Sequence, residues 1–261
     1  MNNNDKEIIL EGKHIWKKFG TIQALKDVSF KLNRKEVLGL VGDNGAGKST
    51  LVKIITGIYP PDKGEIYFEG KKVRFSSPLE ARRAGIETVY QDLALVDLMN
   101  IYRNFFLGRE ITKGKGPIKF LDIKKMREEC MKAFSQLGIG IRSPDEIVSF
   151  LSGGEKQSIS IGRSIYFGVK VLILDEPTMA LSVKESRKVL ELVEKIKQQG
   201  LSVIFITHNI YHVYSIADRF MILNRGIKLG EFYKKDVTPE DISEIIASGE
   251  IPEELKDKMI V

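Results

Sequence analysis

The chain has 261 residues, 43% of them hydrophobic and 29% charged, with a net charge of +6 at neutral pH. That length allows one large core, or a core with a subdomain; no apolar run approaches the roughly 18 residues of a membrane span, and the single cysteine, Cys130, excludes an internal disulfide and fits a reducing compartment. The basic excess falls in isolated doublets (Lys17-Lys18, Lys71-Lys72, Arg82-Arg83, Lys124-Lys125) among Asp and Glu, which reads as solvated surface and excludes a nucleic-acid-binding stripe.

Residues 1–7 read as a frayed polar tail without the apolar segment of a secretory signal. Ile8 to Trp16 reads as a strand, Lys17-Lys18-Phe19-Gly20 as a turn, and Ala24 to Leu32 as a second strand. The apolar run Leu38–Val41 then enters Gly42-Asp43-Asn44-Gly45-Ala46-Gly47-Lys48-Ser49-Thr50. This is the G-x-x-x-x-G-K-[ST] spacing of a phosphate-binding loop. Its glycines let consecutive backbone N–H groups converge on a phosphate, and a helix starting there adds the positive end of its dipole. Lys48 can reach the β- and γ-phosphates of a nucleotide, and Ser49 can offer its hydroxyl to Mg²⁺. Phe19, an aromatic ahead of such a loop, can stack on a base.

The helix after the loop is expected over Thr50–Ile58, ending at Tyr59-Pro60-Pro61-Asp62-Lys63-Gly64. Two short strands flank Glu69-Gly70 as a hairpin. Ser77-Pro78 opens a short helix, and Gly85 to Gln91 reads as a buried strand with a polar end. Residues 92–165 carry helical patterns and no strand patterns; the clearest is the stripe Ile123, Met126, Cys130, Met131, Phe134, Leu137. Thr112 to Pro117 reads as a flexible loop, and Leu151-Ser152-Gly153-Gly154-Glu155-Lys156-Gln157 opens a further helix. Val171-Leu172-Ile173-Leu174 marks a central parallel strand ending in Asp175-Glu176-Pro177. A helix over Val183–Gln199 stops at Gly200, Ser202–Thr207 is a buried strand with His208 at its end, and Arg219–Leu223 and Ile227–Phe232 form a hairpin. Thr238-Pro239-Glu240-Asp241 caps a last helix, and residues 249–261 read as a short tail helix or a partly disordered tail.

The fold expected is α/β: a mostly parallel phosphate-loop nucleoside-triphosphatase core over about 8–91 and 166–235, carrying an antiparallel β subdomain. A helical subdomain is inserted over about 92–165, and residues 236–261 form a C-terminal helix and tail. Ligands of open parallel sheets gather at the carboxyl ends of strands, where this chain places the phosphate loop, Gln91, Asp175-Glu176 and His208. Asp175 can hold Mg²⁺ through water, with Ser49 and Gln91 as further oxygen donors. Glu176 can polarise an attacking water, and His208 can hydrogen-bond a γ-phosphate.

Over nearly its whole length the chain resembles the ATP-binding cassette (ABC) transporter ATPases. Leu151 to Gln157 matches the signature motif, Gly42 to Thr50 the Walker A loop, Gln91 the Q-loop, Asp175 and Glu176 Walker B with its catalytic glutamate, and His208 the switch histidine. Phe19 matches the aromatic that stacks on adenine. The resemblance implies ATP and Mg²⁺ as ligands, held by Phe19, Gly42, Asn44, Gly45, Ala46, Gly47, Lys48, Ser49 and Thr50. It also implies that Ser152, Gly153 and Gly154 of one cassette cover the ATP of a second, in a homodimer or a heterodimer. Met179-Ala180-Leu181-Ser182 departs from the family's Ser-Ala-Leu-Asp D-loop, having Ser182 in place of the aspartate. Thr178–Glu185 and Asn104–Glu110 resemble ATPases of bacterial monosaccharide importers. Integral permease subunits, and through them a periplasmic or lipoprotein solute-binding protein, are then the implied partners. The implied place is the cytoplasmic face of the inner membrane. The rival readings are a cassette for amino acids, lipids or drugs, and a cassette of DNA repair or translation; the second lacks the coiled coils, metal-hook cysteines or second cassette that usually accompany it.

Overall fold

A computed structural model describes residues 7–114 and 118–260. Most of the tail expected over residues 1–7, the part of the expected loop at 115–117, and Val261 lie outside the described residues. The chain opens with β1 (Ile8–Phe19), β2 (Ile22–Asn33), β3 (Val37–Val41) and helix α1 (Lys48–Ile55). A hairpin of β4 (Lys63–Phe68) and β5 (Lys71–Val73) leads to α2 (Pro78–Ala84) and β6 (Ile86–Val89). Next come α3 (Ile101–Phe105), the short pair β7 (Thr112–Lys113) and β8 (Phe120–Leu121), α4 (Ile123–Leu137) and α5 (Gly153–Tyr166). The remainder is β9 (Val171–Asp175), α6 (Val183–Gln198), β10 (Ser202–Thr207), α7 (Ile210–Ile216), β11 (Arg219–Asn224), β12 (Ile227–Tyr233), α8 (Pro239–Ser248) and α9 (Glu253–Lys256).

The uninterrupted apolar runs become the middle of a six-stranded sheet ordered β12-β11-β3-β10-β9-β6. All its pairs are parallel except β11–β12. Such strands need cover on both faces, and they have it. Val171 and Ile173 join a core with α1 on one face, while Leu172 and Leu174 join a second core with α6, α7 and α8 on the other. Side chains alternate along a strand, so Asp175 falls on the α1 side, where the phosphate loop enters its helix. The antiparallel sheet β2-β1-β4-β5 packs over the first core. A third core joins α3, α4 and α5, with Phe105 edge-on to Phe134 at 5.1 Å. Cys130 lies inside it, fully buried, and burial pushes its thiol up to about 12, which leaves it chemically inert.

Three local expectations are corrected, and one helix is new. β1 runs through Phe19, and the turn is at Gly20-Thr21. Lys17 can stay in the strand because its ammonium donates to Pro60 O at 2.8 Å and Asp62 Oδ1 at 2.9 Å. Helix α1 starts two residues earlier than expected, at Lys48, and ends at Ile55 before Gly57, whose φ is +74°. Within the region read as helical, Thr112 and Lys113 pair with Leu121 and Phe120; two residues a side are too few for a period-2 signal. Helix α7, capped by Asn209, has only seven residues, too short for its periodicity to stand out.

A buried ion pair ties the start of the central sheet together. Arg219, at the head of β11, donates from Nε and Nη2 to both carboxylate oxygens of Glu36 at 2.9 Å, and the side chains are 5% and 1% exposed. Glu231 completes the cluster against Arg219 and Lys228. Glu36→Ala strands a buried guanidinium and is expected to cost about 3 kcal/mol, the low end for a broken buried pair because Glu231 remains. Urea unfolding of the variant measures it.

Candidate functional site

The phosphate loop joins β3 to α1 and takes a shape that few residues other than glycine adopt. Gly42, Gly45 and Gly47 have φ of +147°, +80° and +105°. A Cβ on Gly42 would come within 2.1 Å of Leu223 O, whereas one on Gly45 would meet nothing within 4 Å. The loop therefore rests its back on the β11–β12 turn, where the Gly226 N–H donates to Ala46 O at 2.9 Å. Lys48 is 7% exposed. Its ammonium donates to Gly42 O at 2.6 Å and Asp43 O at 3.0 Å. Burial lowers its pKa, and Glu176, Asp175 and Asp43 oppose that shift. A phosphate would replace two neutral carbonyl acceptors with charged oxygens, which bind an ammonium more strongly.

A cavity of about 520 Å³ opens over the loop. Its walls are Asn44 to Thr50, Gln91, Asp175 and Glu176, with Ile22 to Ala24 and Arg225 beside them. Three separate strand ends thus meet at one place, as the sequence order implied. Burial, then the neighbouring Glu176, raises the pKa of Asp175, and Lys48 and Lys53 counter this only in part. A carboxylate short of positive charge, facing the same cavity as Ser49 and Gln91, is a fitting donor set for Mg²⁺. That ion takes one or two carboxylates and keeps much of its water, so the absence of any cluster of three acidic, His or Cys ligands among the described residues is no obstacle.

Glu176 has the most constrained side chain of the site. Its backbone is left-handed, with φ +51°, and its N–H donates to Ile206 O at 2.9 Å. Oε2 accepts the Thr207 hydroxyl at 3.0 Å, and Oε1 accepts the His208 N–H at 3.0 Å and lies 2.8 Å from His208 Nδ1. The end of β10 therefore holds Glu176 by main chain and side chain together. The sequence places Thr207 only as the last residue of the strand before His208 and gives it no role of its own. It is buried, and its Oγ1 also accepts the Asn209 N–H at 3.0 Å, leaving its proton for Glu176. Its place directly before His208 was the available signal.

Arg225 was missed too, because Asn224-Arg225-Gly226 reads only as a turn. It lines the cavity with φ +46°, a strained value for arginine. Asparagine accepts that conformation more readily, so Arg225→Asn is expected to leave thermal stability unchanged or raised. Loss of the cation should raise the ATP concentration for half-maximal binding about threefold, as for one exposed charge. Equilibrium titration with ATP beside a melting curve checks both.

Gly42 and His208 lie behind the cavity walls, each against a residue that lines it, Lys48 and Glu176, and two further sets of predicted residues stand apart. Phe19 is 40% exposed and edge-on to Tyr59 at 5.1 Å, outside the cavity wall. Ser152 and Gly154 line a different cleft of about 440 Å³ between α4, α5 and α6. Ser152 is the N-cap of α5, with a reciprocal capping box to Glu155.

Residues 25–179 match the family described as ABC transporter. The chain is 48% identical to the xylose/arabinose import ATP-binding protein of Sulfolobus acidocaldarius, over 92% of this chain and 94% of that protein. It is 44% identical to the fructose import ATP-binding protein of Rhizobium meliloti, over 95% and 96% of the two chains. Against the ribose import ATP-binding protein of Caldanaerobacter subterraneus it is 37% identical, covering 95% of this chain and 49% of that one. Among solved structures, an ATP-binding cassette of an ABC transporter in its ADP conformation superposes with a TM-score of 0.78 at 27% identity, covering 92% and 95% of the two chains. A nucleotide-free cassette gives 0.77 at 28% identity, over 87% and 91%. A phosphate loop shared in space with the Asp175-Glu176 strand end, the family match over residues 25–179, and two relatives matched over almost their full length place this chain in the ABC transporter family, as an ATP-binding cassette that hydrolyses ATP.

Proposed function

We propose that the chain energises the import of a monosaccharide, working as one of two cassettes on the cytoplasmic face of a cell's inner membrane. The observation that carries the two-cassette reading is the separation of the site. The phosphate loop, Gln91, Asp175 and Glu176 share one cavity, while Ser152 and Gly154 line another. A helix N-terminus is suited to a γ-phosphate, so Ser152, Gly153 and Gly154 cover the ATP of a second copy, and that copy's signature covers the ATP held here. A solved cassette resembling this one, at 25% identity and a TM-score of 0.72, is a dimer bound to ADP and phosphate.

In this reading Phe19 stacks on the adenine, and Gly42 to Thr50 hold the phosphates, with Lys48 on the β- and γ-oxygens. Ser49, Asp175 and Gln91 hold Mg²⁺, which when bound neutralises charge on the phosphates. Glu176 takes a proton from the attacking water, and His208 contacts the γ-phosphate. The three similar proteins above are all named for sugar import, which supports a simple sugar as the cargo. None of the described helices is long and apolar enough to cross a membrane, so transport requires permease subunits, to which residues 92–110 pass the closing motion. A solute-binding protein takes part only through them.

Affinity purification of the Glu176→Gln chain from native membranes with ATP tests this. Recovery of a polytopic permease encoded with a sugar-binding protein supports the proposal. Recovery with DNA or ribosomes overturns it.

A further inference from the structure

Helix α5 begins with amides that have no acceptor inside the helix. That of Gly154 finds one 31 residues away, donating to Glu185 Oε1 at 3.2 Å. Glu185 belongs to the first turn of α6. Its other oxygen, Oε2, accepts the Ser182 hydroxyl at 2.6 Å and the Ser182 N–H at 3.1 Å, while Ser182 Oγ accepts the Glu185 N–H at 3.3 Å. One carboxylate thus serves the ends of two helices. The glycines make this approach possible: a Cβ on Gly154 would sit 2.9 Å from Glu185 Cβ, and one on Gly153 would sit 2.7 Å from Leu181 Cδ2. The Ser182 hydroxyl and N–H and the Gly154 N–H hold the Glu185 carboxyl at about 2, so it stays ionised wherever the protein is folded and active.

We propose that Glu185 is a positioning residue that fixes the Ser152–Gly154 turn against the Leu181–Glu185 segment, and that Ser182 is the donor that aims it. This rests on the reading of Ser152–Gly154 as the surface that closes a second copy's nucleotide. It gives a reason for serine at 182. An aspartate caps a helix as well as a serine does, but it has no proton to give Glu185, and its charge would repel that carboxylate. Ser182 therefore does locally what a D-loop aspartate could not do beside Glu185. The residues that follow the hydrolytic Asp175-Glu176 pair are thereby tied to the surface that meets the other cassette.

Ser182→Asp and Ser182→Thr separate positioning from folding. Both keep an α6 cap, so both should fold, Ser182→Thr melting like the parent and Ser182→Asp only slightly below it. In the nucleotide-free chain, Ser182→Asp should speed amide exchange at Gly154 about tenfold, and Ser182→Thr should not. In the Glu176→Gln background, Ser182→Asp should raise the ATP concentration for half-maximal dimer formation about tenfold, with ATP binding to the monomer unchanged, and threonine should restore the parent value. Unchanged Gly154 exchange in Ser182→Asp overturns the proposal, whatever the dimer does. Faster exchange with an unchanged ATP requirement overturns the positioning role. If Glu176→Gln alone forms no ATP-dependent dimer, the two-cassette reading has failed instead, and Gly154 exchange still decides whether Ser182 aims Glu185.

Discussion

Glu176→Gln is expected to slow ATP hydrolysis by about 10²–10⁴-fold, equivalent to roughly 3–5 kcal/mol, the usual contribution of a general base. The amide keeps the size of the side chain and one oxygen for the Thr207 hydroxyl or the His208 N–H, so the end of β10 retains a partner. It cannot accept the proton of a water. ATP binding should therefore survive, and the ATP-bound dimer should accumulate because the step that opens it is blocked. Turnover with phosphate detection, run beside sedimentation with ATP, reads both effects. Turnover equal to the parent's removes Glu176 from the mechanism, whatever its hydrogen bonds.

Lys48→Ala should act earlier, at binding. The ammonium is buried and held by two loop carbonyls, so the loop itself fixes it where a phosphate would meet it. Removing it deletes a charge-assisted bond of about 1.5–3 kcal/mol and should weaken ATP binding by about 10–10²-fold. Isothermal titration of the isolated chain measures this without a second cassette. Retained affinity would contradict the phosphate-loop account, because no other buried cation lies within hydrogen-bond reach of Gly42 O among the described residues.

The parts of the chain legible in sequence were those with a strong local cause. Val171–Leu174 is apolar at every position, a pattern that marks a strand covered on both faces. The Gly42–Thr50 spacing has few uses besides holding phosphate. The stripe from Ile123 to Leu137 spans α4 from its first residue to its last. What escaped depended on distant partners. Lys17 stays in a strand only because Asp62 and Pro60 accept from it across the fold. Thr207 gains meaning from a carboxylate 31 residues earlier in the chain, and Arg225 from the way its turn supports the back of the phosphate loop. Ser182 was visible as a departure from the family motif. The reach of its partner Glu185, three residues on, to Gly154 was not. Hydrogen bonds between elements have no period and leave no mark on a single sequence.

The central claim is that each nucleotide site is built from two copies of this chain. Subunit complementation tests it most directly. Lys48→Ala disables the phosphate loop and leaves the signature intact. Ser152→Arg blocks the signature surface and leaves the loop intact. Each variant alone should be inactive. Mixed, they form some dimers in which the intact loop of one copy faces the intact signature of the other, and ATP hydrolysis should reappear in proportion to those mixed dimers. A mixture as inactive as its parts, with mixed dimers demonstrably present, would contradict the account.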